Sequence, residues 1–199
     1  MKKYGLMGGT FDPIHLGHLM ISEYVKEDLG LDEIIFIPTG NPPHKTDYLP
    51  ADQRYNMVSI AIRENQDFKI SDVETKRVKE SYSIETINIL KEELQGDLYF
   101  IIGSDSLFDL KNWKDIEKLA TLVDFACAVR PHYALEKEIK KEIDYLDKKY
   151  HVRVHMVDSP LYDISSTKIR KRLKEKKSVK YIVPDEVIDY IDENNLYRG

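Results

Sequence analysis

Gly8-Gly9-Thr10-Phe11-Asp12-Pro13-Ile14-His15-Leu16-Gly17-His18 is the stretch of this chain richest in groups that do chemistry. It follows a short apolar run and leads into a helix-like window. Paired glycines let a ligand approach the backbone closely. His15 and His18, three residues apart, share one face of a helical first turn. Open N–H groups at a helix start, with two imidazoles beside them, make a phosphate site. The same residues read equally as a capped helix with incidental histidines. A metal pair is a third reading, but zinc needs more ligands than this pair supplies. Neither G-x-G-x-x-G nor G-x-x-x-x-G-K-[ST] occurs, so the usual dinucleotide fingerprint and the P-loop are both absent.

A second cluster is Ile164-Ser165-Ser166-Thr167-Lys168-Ile169-Arg170. Ser165 or Ser166 suits a helix N-cap, and the capped end offers N–H groups and hydroxyls to an anion. Arg170, within a turn of that end, can donate two parallel hydrogen bonds to phosphate oxygens. Alone this is an ordinary helix start. Paired with the first cluster it supplies the second side of a triphosphate clamp.

Both clusters have to be held by something, and the surrounding pattern says what. Segments 3–7, 33–38, 68–71, 98–102, 124–129 and 152–157 read as strands. Leu16, Leu19, Met20 and Tyr24 follow helical spacing, with Gly30 as a stop. Segment 51–65 reads as a helix with Tyr55, Val58 and Ile62 on one face. Segment 83–95 reads as a helix begun by a serine cap, and 135–149 as a charged helix. Two helices close the chain, one after Ser165 and one after Pro184, a proline suited to a first turn. This alternation predicts an α/β fold, Rossmann-like and doubly wound, with a mostly parallel sheet and helices on both faces. In such sheets ligands sit beyond the carboxyl ends of the strands, and both clusters fall just after predicted strands. No repeat or linker interrupts residues 1–199, which predicts a single domain.

Composition narrows the class. The 199 residues carry 30 Lys+Arg and 35 Asp+Glu, a formal charge of −5, with 42% hydrophobic and 33% charged residues. That is ordinary for a globular protein, and no apolar run is long enough to span a bilayer. Met1-Lys2-Lys3 begins like a signal peptide, but Gly8, Gly9, Asp12 and Pro13 end the apolar stretch too early. The lone Cys127 has no intramolecular disulfide partner. A cytoplasmic protein is expected, with neither nucleic acid nor membrane as partner and a homo-oligomer left open. Segment 168–177 holds seven cations and one anion, a local +6 that leaves −11 elsewhere. It reads either as a solvated helix face or as a local site for a small polyanion.

Taken together, G-G-T-F-D-P-I-H-L-G-H and I-S-S-T-K-I-R resemble the nucleotidyltransferase superfamily with its H-x-G-H signature. Within it the sequence most resembles the bacterial nicotinate-nucleotide adenylyltransferases. Further segments are similar: Gly40-Asn41-Pro42-Pro43-His44-Lys45, Ser81-Tyr82-Ser83, Gly103-Ser104-Asp105 followed by Trp113, Arg130-Pro131, and the closing Val183-Pro184, Tyr190-Ile191 and Leu196-Tyr197. The resemblance covers nearly the whole chain. Ser83 departs from it, since the family usually has threonine there.

The resemblance implies transfer of the adenylyl group of ATP to nicotinate mononucleotide, giving deamido-NAD and pyrophosphate, with Mg²⁺ accompanying ATP. It implies His15 and His18 as the catalytic pair at the α-phosphate. On the ATP side it places Gly8, Gly9, Thr10, Phe11, Gly17, Gly103, Asp105, Ile164, Ser165, Thr167 and Arg170, with the helices from about 165 to 199 completing the site. On the mononucleotide side it places Asn41, His44, Lys45, Tyr82, Ser83, Asp105, Trp113 and Arg130. Several of these have plainer readings: core packing for Trp113, a helix cap for Asp105, an exposed loop for His44 and Lys45. No arginine is evident for the nicotinate carboxylate, so backbone N–H groups near Ser83 or Trp113 are the expected donors. The alternatives are nicotinamide mononucleotide or phosphopantetheine as acceptor, and a nucleotide sensor without catalysis.

Overall fold

A computed structural model describes residues 1–41, 47–77, 79–129, 133–160 and 164–198, with backbone alone at 133–135. The strands are β1 (Lys3–Gly9), β2 (Glu33–Pro38), β3 (Phe68–Ile70), β4 (Asp97–Gly103), β5 (Asp124–Val129) and β6 (Val154–Asp158). They form one six-stranded sheet in the order β3-β2-β1-β4-β5-β6, every neighbouring pair parallel. That is the doubly wound order, and its reversal point lies between β1 and β4. The helices are α1 (Leu16–Leu29), α2 (Ala51–Ile62), α3 (Ser83–Glu93), α4 (Ser104–Asp109), α5 (Ile116–Ala120), α6 (Tyr133–Tyr150), α7 (Ser166–Lys174) and α8 (Asp185–Glu193). A 3₁₀ turn (Leu110–Asn112) joins α4 to α5.

Alternation along the strands builds two cores. Leu6, Ile35 and Ile37 face one way and pack with Ile87 of α3, Leu107 of α4, Leu119 of α5 and Leu146 of α6. Met7, Ile34 and Phe36 face the other way and meet Val25 of α1, Val58 of α2, Ile169 and Leu173 of α7, and Val187 and Ile191 of α8. Strands covered on both faces need apolar residues at successive positions, which is why β2 and β4 read as continuous runs. The C-terminal helices thus share a core with the N-terminal strands.

Several local expectations change. The buried face of α2 is Arg54, Met57, Val58 and Ile62, with Tyr55 only half-buried. On α1 the buried residues are Gly17, Ser22 and Val25, while Leu16 and Tyr24 stay 38% and 42% exposed. Gly30 does end α1, in the left-handed conformation that favours glycine. Tyr82, not a serine, is the N-cap of α3, and it makes no side-chain cap. Pro184 is the N-cap of α8 and precedes its first turn. Among the described residues no helix is long and apolar enough to cross a membrane.

Candidate active site

The ladder between β1 and β4 runs from Lys3–Asp97 to Leu6–Phe100. Pairing of β1 with β2 continues to Gly9–Pro38, and of β4 with β5 to Gly103–Ala128. Beyond Leu6 the two central strands therefore part, and a crevice opens between their carboxyl ends. Most of the candidate side chains gather there.

Past β1 the chain turns at Phe11, whose φ of 50° is left-handed. Its ring is buried and meets His18 edge-on at 5.0 Å. His15 is the extended N-cap of α1, and its N–H donates to His18 Nδ1 at 3.2 Å. Accepting at Nδ1 puts the proton of a neutral His18 on Nε2. The two imidazoles stack at 3.6 Å and 20°. A side chain at position 17 would press on this stack, since a Cβ there comes within 3.1 Å of the His15 ring. His15 is only 5% exposed, and burial lowers its pKa from 6.5 to about 4. In the free protein it is a neutral ring at pH 7. Its Nδ1 is buried without a hydrogen-bond partner among the described residues.

The facing wall comes from α7. Ser165 is the N-cap, its hydroxyl accepting from the Lys168 N–H at 3.3 Å. Ser166 Oγ donates to the Pro13 carbonyl at 2.9 Å. Arg170 donates to the Asp12 carbonyl at 2.7 Å and lies 3.6 Å from Asp12 Oδ2. The two sequence clusters are thus joined directly. A cleft of about 660 Å³ separates them, lined by Thr10, Phe11, His15, Gly17, His18, Gly103, Asp105, Ile164, Ser165, Thr167 and Arg170, with Asp12 and Met20 among the others. A neighbouring cavity of about 340 Å³ is lined by Gly8, Gly9, Ser83, Trp113, Thr39, Glu74 and Ser81, and shares Thr10, Ile21 and Gly103 with the cleft.

The expected residues therefore divide between two adjoining spaces. Gly8 and Gly9 belong to the smaller one, and the groups pressing on their Cα positions are the rings of Phe100 and Phe11. Asp105 lies in the first turn of α4, whose N-cap is Gly103, so its capping reading fails while its place on the cleft stands. Ser83, the first residue of α3, lines the smaller cavity. Trp113 packs edge-on against Phe100 and Phe125, as the core-packing reading expected, and also lines that cavity. Asn41 bridges to Glu80 and accepts from the Ser81 N–H at 3.3 Å, tying segment 79–83 to the end of β2. Tyr82 donates to Glu80 at 2.8 Å and carries the Lys114 ammonium 4.1 Å from its ring. Neither Asn41 nor Tyr82 lines either space. His44, Lys45 and Arg130 lie outside the described residues.

Three residues escaped sequence reading. Arg54 is fully buried, and its guanidinium donates to the carbonyls of Thr10 at 2.7 Å, Gly40 at 3.0 Å and Leu49 at 2.8 Å. It braces the segments after β1 and after β2 at once. Asp12, 3% exposed, accepts from the Tyr197 hydroxyl at 2.6 Å. Glu74 accepts from Thr86 Oγ1 at 2.7 Å, and burial holds its carboxyl above the usual range. Asp12 was visible inside the first motif. Arg54 was marked only by its place three and four residues before Met57 and Val58 on an apolar face.

Among the described residues no group of three or more His, Cys, Asp or Glu side chains is arranged to hold a metal. The carboxylates on the larger cleft are Asp12, Asp47 and Asp105, and that of Asp12 pairs with Arg170 at 3.6 Å and accepts from Tyr197. Such a donor set suits an ion carried in on phosphate oxygens and water better than a resident one.

A crevice at the reversal point of a parallel sheet, walled by H-x-G-H and a serine-capped basic helix, defines a nucleotidyltransferase. The cytidylyltransferase-like family model matches residues 6–172. A protein of Clostridium botulinum named probable nicotinate-nucleotide adenylyltransferase is 42% identical, covering 100% of this chain and 99% of that protein. One of the same name from Desulfitobacterium hafniense is 41% identical, covering 99% and 96%. In fold, the nicotinic acid mononucleotide adenylyltransferase of Plasmodium falciparum complexed with NaAD superposes with a TM-score of 0.80, at 24% identity over 99% of this chain and 98% of that one. This chain belongs to the nicotinate-nucleotide adenylyltransferase family.

Proposed function

We propose that the protein joins the phosphate of nicotinate mononucleotide to the α-phosphate of ATP, breaking the Pα–O–Pβ bond to give deamido-NAD and pyrophosphate. Family membership supports the reaction. The observation that carries the site assignment is the pair of adjoining spaces meeting at Thr10 and Gly103. ATP occupies the larger cleft and the mononucleotide the smaller, so the attacking oxygen meets Pα where they join.

The attacking phosphate monoester is already largely ionised at neutral pH, its second pKa being about 6. No general base is needed, and positioning and charge neutralisation are the work of the site. His18 offers a donor to the α-phosphate. His15, neutral when the site is empty, gains a reason to bind a proton when a polyanion arrives. Ser165, Thr167 and Arg170 hold the departing β- and γ-phosphates. Mg²⁺ arriving with ATP would be held mainly by phosphate oxygens and water and would supply countercharge to the triphosphate. Trp113 gives the pyridine ring an aromatic surface, and the N–H groups at the start of α3 or beside Trp113 meet the nicotinate carboxylate.

Pyrophosphate release tests this reading, with ATP and either nicotinate mononucleotide, nicotinamide mononucleotide or phosphopantetheine. A site built on donors to a carboxylate discriminates strongly against analogues that lack it. Release with the nicotinate substrate, suppressed by a magnesium chelator, is expected. Equal rates with the two mononucleotides would overturn the carboxylate assignment, and release with phosphopantetheine alone would replace the acceptor.

A further inference from the structure

The closing Leu196-Tyr197 belongs to the resemblance, yet Tyr197 lines neither substrate space. Its hydroxyl nonetheless reaches across the molecule to Asp12 Oδ1 at 2.6 Å. The tail makes this reach from a backbone with φ of 62° at Tyr197, a left-handed conformation uncommon for a bulky residue. Asp12 Oδ1 also faces the Leu49 N–H at 3.4 Å, while Oδ2 faces Arg170 at 3.6 Å. Arg170 is anchored through the Asp12 backbone carbonyl and lines the cleft.

We infer that Tyr197 is a positioning residue for ATP, acting through Asp12 on Arg170. The Asp12 carboxylate is a buried anion beside the arginine that is to meet the triphosphate. By donating to Oδ1, the phenol offsets charge that would otherwise draw the guanidinium into a tight ion pair. Arg170 then stays held by a neutral carbonyl, with its other N–H groups directed to phosphate. Burial, followed by the Asp12 hydrogen bond, raises the phenol pKa, so Tyr197 remains a donor at any working pH. Without it, Asp12 competes with ATP for Arg170.

The inference rests on ATP being the cleft's ligand, so the test measures affinity rather than turnover. Calorimetry on Tyr197→Phe is expected to show ATP binding weakened roughly five- to tenfold, with nicotinate mononucleotide affinity within about twofold of the parent. In an Arg170→Ala background the same substitution should weaken ATP no further. Unchanged ATP affinity would overturn the inference, as would equal weakening of both substrates, or losses that simply add in the double variant. If the parent binds ATP but releases no pyrophosphate, the proposed function falls while the affinities still decide the role of Tyr197. A parent that does not bind ATP overturns both.

Discussion

At the scale of single residues, the site depends on polar groups that are buried before any ligand arrives. In the proposed reaction His18 is the donor to developing charge at the α-phosphate. Replacing it with alanine should lower kcat by roughly 100- to 1,000-fold with the fold retained, since removing one preorganised donor typically costs that much. An unchanged kcat would remove it from the reaction. His15 makes a different prediction. Its folded pKa, about 4, lies below the unfolded value of 6.5. Between those values the unfolded chain binds a proton that the folded chain refuses, so stability falls as pH drops from about 6.5 towards about 4. Up to about 3 kcal/mol is involved. Urea midpoints measured across that window should decline, and His15→Asn should flatten the decline.

At the scale of elements, what was legible and what was not follows from length and from burial. The strands showed as short apolar runs, and the long helices because periodicity and capping accumulate over several turns. Helices α4 and α5 and the 3₁₀ turn between them span six, five and three residues. That is too short for any period, and they stayed hidden although they carry Asp105 and lead to Trp113. On α2 the buried face includes Val58 and Ile62 as read, but Arg54 was missed because it reads as a surface residue, whereas here three carbonyls satisfy it in the interior. The two motifs that wall the cleft were legible because each signature is local. The contacts that join them, Ser166 to Pro13 and Arg170 to Asp12, span more than 150 positions and leave no local trace. Arg54→Met should cost about 3 kcal/mol or more, by leaving those three carbonyls without their donor. A urea titration reads this directly, and a loss below about 1 kcal/mol would deny Arg54 its bracing role.

At the scale of the whole molecule, the −5 charge resolves into a basic α7 and an acidic remainder. Arg170 faces the cleft, and Lys171, Arg172 and Lys174 are exposed. These cations bias the local field toward a small anion. The single sheet, packed on both faces, predicts one cooperative transition. Trp113 reports on one face, while α7 and α8 cover the other. Tryptophan fluorescence and far-UV circular dichroism should therefore give coincident denaturation curves; two separated midpoints would split the chain into independent units. The stitching of α7 to the loop after β1 has one more effect. Under the proposed function, until that helix docks the chain owns only half of the phosphate cradle, so a nucleotide is expected to recognise the finished fold and nothing earlier. ATP then acts on the folding equilibrium by mass action, adding about 2.7 kcal/mol at a hundredfold excess over its Kd. On that reading the substrate pool would keep the population of its own enzyme folded, and a thermal midpoint that rises with ATP concentration is the expected sign.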